Sequence, residues 1–159
     1  MEIDKLKQRA RNNAYMLLRI RPRSEYEIRD RLRSKRYSAD LIEGIVEELK
    51  KRGDIDDVKF ASLWIESRMR LNPAGDTVLK YELKRKGIEP GTIEAALKRK
   101  SEDYDEFAIA LPMAEDRFRR FGKIDRQKAL KRVYDFMLRR GFKYDTVQRI
   151  LEEIGKIKY

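Results

Sequence analysis

The side chains of this 159-residue chain whose types and spacing suggest chemistry are its cations. Lys and Arg number 39 against 28 Asp and Glu, a net charge of +11. Between Arg19 and Arg36 eight cations (Arg19, Arg21, Arg23, Arg29, Arg31, Arg33, Lys35, Arg36) stand against three acids, a net of +5. Between Pro112 and Lys143 there are eleven against four, a net of +7. The stretch from Asp40 to Asp57 reverses this, with three cations and seven acids, a net of −4. Clustered cations neutralise successive phosphates of a polyanion and release its counterions. The chemistry indicated is therefore salt-sensitive binding of nucleic acid or of a nucleoprotein. A solvated helical surface laced with i,i+4 ion pairs would also explain the 42% of charged residues, but it explains the cation excess less well. Arg29, Arg31 and Arg33 alternate, so they cannot all lie on one helical face.

Catalytic chemistry finds little footing. The chain has no His and no Cys, which removes Ser-His-Asp relays, Cys/His zinc sites, disulfides and thiolate nucleophiles. Asp54, Asp56 and Asp57 have the look of a metal cluster, but an EF-hand needs a ligand where Val58 stands and Gly where Lys59 stands. Turn and cap roles fit them better. The run from Gly87 to Gly91 lacks the Gly-Lys-Ser/Thr of a phosphate loop. No enzyme activity, cofactor or metal is expected. Tyr26, Tyr37, Tyr81, Tyr134 and Tyr144 could stack on bases, and a half-buried role suits each equally well. No apolar run approaches the ~18 residues of a membrane span, and the first residues are polar with helical spacing. A cytoplasmic protein without a signal peptide is expected.

The elements that must position the cations come in three degraded copies. LRSKRYSADLIEGIV (32–46), LKRKGIEPGTIEAAL (83–97) and MLRRGFKYDTVQRIL (137–151) share an apolar residue, a basic pair or triplet, then Gly or Arg, then a bulky apolar residue. Leu32, Leu83 and Met137 correspond, a period of 51 and then 54 residues. Apolar residues recur at helical spacing throughout. Leu6, Ala10, Ala14, Leu17 and Leu18 form one face, and Leu41, Ile42, Ile45, Val46 and Leu49 another. Ser24 with Glu27 reads as a capping box, and Ser38, Asp56 or Asp57, Asp76 and Asp125 read as N-caps. Gly87 suits a left-handed helix end and Pro90 a first turn. Pro112 interrupts a helical pattern, which predicts a kink or a fresh helix start there. The fold predicted is all-α: three tandem three-helix repeats, at 1–54, 55–101 and 102–159, in an elongated, curved, solenoid-like arrangement.

Four runs carry a family resemblance: RSEYEIRDRLRSKRY (23–37), GDIDDVKFA (53–61), ELKRKGI (82–88) and RRGF (139–142). In their order and spacing the chain resembles the RecX family, regulators of the RecA recombinase. The resemblance implies three tandem three-helix repeats and a non-enzymatic protein. It would lodge along the groove of a RecA filament on single-stranded DNA and damp ATP turnover and strand exchange, in recombination, DNA repair and the SOS response. The implied partners are the RecA filament and single-stranded DNA, with duplex DNA also a candidate and a monomer expected. The cations expected to touch filament or nucleic acid are Arg21, Arg23, Arg31, Arg33, Lys35, Arg36, Lys84, Arg85, Lys86, Arg139, Arg140 and Lys143. The rival reading is a helix-turn-helix-like, sequence-specific duplex DNA-binding regulator. The chain departs from the family pattern at Arg36, where glycine is usual, and at Pro112.

Overall fold

The computed structural model describes residues 1–157, and every regular element among them is an α-helix. In chain order these are α1 (Glu2–Ile20), α2 (Glu25–Ser34), α3 (Ala39–Lys51), α4 (Asp57–Leu71), α5 (Asp76–Arg85), α6 (Pro90–Asp103), α7 (Glu106–Arg119), α8 (Arg126–Arg139) and α9 (Tyr144–Gly155). Among the described residues no helix is long and apolar enough to cross a membrane.

Side-chain caps start several of these helices. At α2 the Ser24 hydroxyl accepts from the Glu27 N–H at 3.2 Å, while the Glu27 carboxylate accepts from the Ser24 N–H at 3.1 Å. This reciprocal box satisfies two donors that a helix start leaves orphaned. Ser38 accepts from Leu41, Asp56 from Lys59, Asp105 from Ala108 and Asp125 from Lys128. Asp57 instead spends its carboxylate on the Glu25 N–H at 2.9 Å, and burial pushes its pKa up. Asp76 opens α5, but its carboxylate pairs with Lys100.

The second helix of each three-helix repeat ends the same way. Backbone N–H groups of Tyr37, Ile88 and Phe142 reach back five residues to the carbonyls of Leu32, Leu83 and Met137. Those of Arg36, Gly87 and Gly141 reach back three, to Arg33, Lys84 and Leu138. This pair of bonds is the Schellman motif, and it requires a left-handed residue at the inner position. Arg36 (φ 62°), Gly87 (75°) and Gly141 (85°) supply it. The register read from the three sequence copies is thus the register of three identical turns.

Helices α1, α2 and α3 pack on one another, as do α7, α8 and α9. The first trio buries Ala10, Ala14, Ile28, Leu32, Ile42, Ile45, Val46, Leu49 and Ile55. The last buries Ala110, Ala114, Phe118, Ala129, Val133, Met137, Phe142, Val147, Ile150 and Ile154. Leu6, expected on the apolar face of α1, is exposed, since only Ala10 and Ala14 of that helix are buried. By contact density the chain divides into two compact units, 1–64 with 83–93, and 65–82 with 94 onward.

Pro112 does not restart a helix, because α7 runs continuously from Glu106 to Arg119. The reason is exposure. Pro112 and the residue four before it, Ala108, both face solvent. The carbonyl that loses its N–H partner can therefore be hydrated instead of buried bare.

Candidate functional site

Twelve cations were expected to form the binding surface, and the structure separates them by what holds them. Arg21 is tied to Glu27 through two hydrogen bonds, at 2.6 and 3.1 Å. Lys86 reaches the same carboxylate at 2.9 Å and lies over the Trp64 ring, 5.1 Å from its centroid. Burial alone would raise the Glu27 pKa, but donors from Arg21, Lys86 and the Ser24 N–H outweigh it and hold the group at about 2. Arg23 is half-buried, with Nε 3.5 Å from the Leu17 carbonyl. Burial, then neighbouring Arg21, pulls its pKa down. Arg140 donates to Asn72 Oδ1 and, at 2.5 Å, to the Pro73 carbonyl. Burial, then Arg68, lowers its pKa as well. Lys143 is exposed and sits 3.5 Å from Asp76.

The remaining seven divide differently. Arg31, Arg33, Lys35 and Arg36 are exposed and pair with no carboxylate among the described residues. All four lie at the C-terminal end of α2 and its closing turn. Lys84 and Arg139, one residue after Leu83 and two after Met137, are exposed without an ion pair too. Arg85 is exposed beside Lys84. Lys86 docks against the start of α2, whereas Arg31 to Arg36 occupy its other end. A ten-residue helix is about 15 Å long, so these two basic groups form no single patch.

Two of the engaged cations, Lys86 and Arg140, share one task. In the first unit the Ser24 hydroxyl donates to the Lys86 carbonyl at 2.6 Å, and the Lys86 ammonium grips Glu27 in the first turn of α2. In the second unit the Gly75 N–H donates to the Arg140 carbonyl at 2.8 Å, and the Arg140 guanidinium grips the turn before α5. Thr77 N–H adds a bond to the Gly141 carbonyl at 3.4 Å. Both are the same joint: the start of one repeat's second helix sits on the closing turn of the next repeat's second helix. Glycine at the left-handed position is required twice over. A Cβ on Gly87 would overlap Tyr26 Cβ, and one on Gly141 would lie 2.6 Å from the Val78 N–H nitrogen.

Sequence reasoning missed these joints, because Glu27 and Lys86 are 59 residues apart. The available signal was glycine at 87 and 141 against arginine at 36. It also missed a second group of held cations. Arg117 stacks on Phe121 and Phe136, Arg132 on Phe121, and Arg126 donates to the carbonyls of Gly155, the last residue of α9, and of Ile157 beyond it. Of the five tyrosines, Tyr26, Tyr81 and Tyr144 are exposed, and Tyr37 accepts from Asn13 at 2.7 Å. Asp54 is held by Tyr15 and Arg52.

Comparison with known proteins agrees with this architecture. The RecX family models for the first, second and third three-helix domains match residues 10–49, 56–97 and 103–151. The regulatory protein RecX of Prosthecochloris aestuarii is 34% identical over 147 residues, covering 92% of this chain and 94% of that one. The one from Chlorobium phaeobacteroides is 36% identical over 141 residues, covering 89% and 90%. The crystal structure of RecX from Lactobacillus salivarius aligns with a TM-score of 0.84 at 25% identity, over 95% of this chain and 97% of that chain. Three matched helical domains in sequence, over nearly the full length of such relatives, admit one conclusion: the chain belongs to the RecX family.

Proposed function

We propose that this protein regulates the RecA recombinase, mainly as a negative modulator. It binds along the groove of the RecA filament on single-stranded DNA and damps ATP hydrolysis and strand exchange. The observation that carries this reading is the division of the cations. Arg31, Arg33, Lys35, Arg36, Lys84 and Arg139 are exposed and pair with no carboxylate of the described chain, in a protein of net charge +11. Such groups retain their full attraction for the filament's DNA phosphates and acidic protein surface. Family membership supports the partner.

The mechanism is mass action on a two-state polymer. A ligand that prefers one filament conformation slows every step that needs the other, in proportion to its differential affinity. No group of this chain takes part in the chemistry.

The test is RecA ATP hydrolysis on single-stranded DNA with the purified protein added at micromolar levels, at stepped salt. Suppression that weakens as salt rises is expected. Absence of any modulation, with no binding to the filament, overturns the proposal. Competition by random duplex DNA separates it from a sequence-specific duplex reader, which would prefer one operator by ~10³-fold or more.

A further inference from the structure

The joint turn occurs three times in this chain, and it is filled only twice. Lys35 occupies the position of Lys86 and Arg140, counted from Leu32, Leu83 and Met137. At the filled turns the carbonyl of this residue accepts a donor from a helix start, and its side chain grips an acceptor in that helix's first turn or in the turn leading into it. At the turn closing α2 the Lys35 carbonyl takes no donor and the Lys35 ammonium has no acceptor among the described residues. Arg36 stands at the left-handed position with φ 62°. A non-glycine residue there costs about 1–2 kcal/mol, and the Arg36 side chain makes no hydrogen bond or ion pair among the described residues to offset it.

We propose that this turn, with Arg33, Lys35 and Arg36, is a docking surface for the acidic first turn of a helix in a partner protein. The inference rests on the filament reading and names the part of the filament it meets, which is polypeptide and not DNA. Chemical complementarity selects that class. The turn offers a bare carbonyl acceptor beside three cations, so its complement is a donor next to a carboxylate. A capped helix start supplies both, as Ser24 and Glu27 do within this chain. A phosphodiester backbone offers acceptors alone and would leave the bare Lys35 carbonyl without a donor.

A second copy of the chain is the competing occupant, since α1, α3 and α7 also open on acids; self-association of wild type at the concentrations used, abolished by Lys35→Glu, would overturn the assignment to the filament. Arg36 also closes the tight approach used inside the chain, because its Cβ lies where glycine leaves room for Tyr26 at the equivalent turn. The partner helix therefore sits farther out and is held through side chains.

The test compares wild type, Lys35→Glu and Arg36→Gly as full-length proteins, in binding to RecA filaments on single-stranded DNA and to the same DNA alone. A third probe is a synthetic helical peptide opening Ser-Glu-Glu-Glu. Lys35→Glu is expected to weaken filament and peptide binding by about tenfold or more and to leave DNA binding within about twofold. Arg36→Gly is expected to weaken filament binding while stabilising the fold. Equal losses on filament and on bare DNA would overturn the proposal, since the turn would then be a phosphate contact. Unchanged filament binding by Lys35→Glu overturns it too, with the filament reading intact. If wild type binds no filament, that reading falls, and the peptide decides: discrimination by Lys35→Glu supports the surface, and equal or absent binding removes it.

Discussion

Gly53, Gly87, Gly141 and Arg36 share one backbone conformation in four different surroundings, which allows strain and crowding to be measured apart. Gly53 has φ +76° and nothing within 4 Å of a built Cβ. Gly53→Ala thus meets only the left-handed penalty, about 1–2 kcal/mol, less roughly 0.4–1 kcal/mol from a stiffer unfolded chain. A net loss of about 0.5–1 kcal/mol is expected. Gly87→Ala carries the same cost plus the overlap with Tyr26, and a bad fit in a packed contact adds about 1–3 kcal/mol. Its total is about 2–4 kcal/mol, and Gly141→Ala, against Val78, should match it. Arg36→Gly reverses the first case and should gain about 0.5–1 kcal/mol. Urea unfolding of the four variants, followed by far-UV circular dichroism, reads these as midpoint shifts at constant slope. If Gly53→Ala and Gly87→Ala cost the same, the joint is not closely packed and the account of glycine at 87 and 141 fails.

Three further outcomes follow from the same contacts. Glu27, depressed from the ordinary 4.5 to about 2, stabilises the fold fully above its unfolded pKa. That contribution, on the order of 3 kcal/mol, is lost as pH falls from about 4.5 through about 2. Glu27→Gln should flatten the stability–pH curve in that window and lower stability at pH 7; an unchanged acid limb would refute the role of Arg21 and Lys86. Lys100 is 4% exposed, with its ammonium 2.6 Å from Asp76 and 3.3 Å from Glu106. Lys100→Ala should cost about 3 kcal/mol by leaving Glu106 without a counter-ion and Asp76 with Lys143 alone, and a thermal melt within a degree or two of wild type would contradict this. Pro112→Ala restores the bond to the Ala108 carbonyl and should raise the urea midpoint, by roughly 1–3 kcal/mol of stability; a loss would mean that the ring itself makes a needed contact.

Much of the fold was legible because it rests on local chemistry. The capping box at Ser24, the caps at Ser38 and Asp125, and left-handed glycine at 87 each involve residues within five of one another. Leu32, Leu83 and Met137 marked equivalent turns because the Schellman bonds start from them. The candidate site was less legible, because charge counts do not reveal partners. Arg21, Lys86 and Arg140 look like free cations in sequence, yet each is held by groups from 6 to 68 residues away. Arg31, Arg33 and Lys35 look the same and are unpaired. Leu6 fits the apolar periodicity of α1 but lies beyond the part of that helix with neighbours to cover it. Pro112 offered a fresh helix start as one of its two readings because the proline penalty assumes a buried carbonyl, and here Pro112 and Ala108 are both exposed.

The direct test of the central claim, that the unpaired cations and not the joint-holding ones engage the recombinase, is one ATPase titration. RecA turnover on single-stranded DNA is measured against wild type and against a variant carrying Arg31→Glu, Arg33→Glu, Lys35→Glu and Arg36→Glu. Suppression by wild type at micromolar levels, and none by the folded variant at tenfold higher concentration, is the predicted result. Equal suppression by both, or none by wild type, would contradict the account.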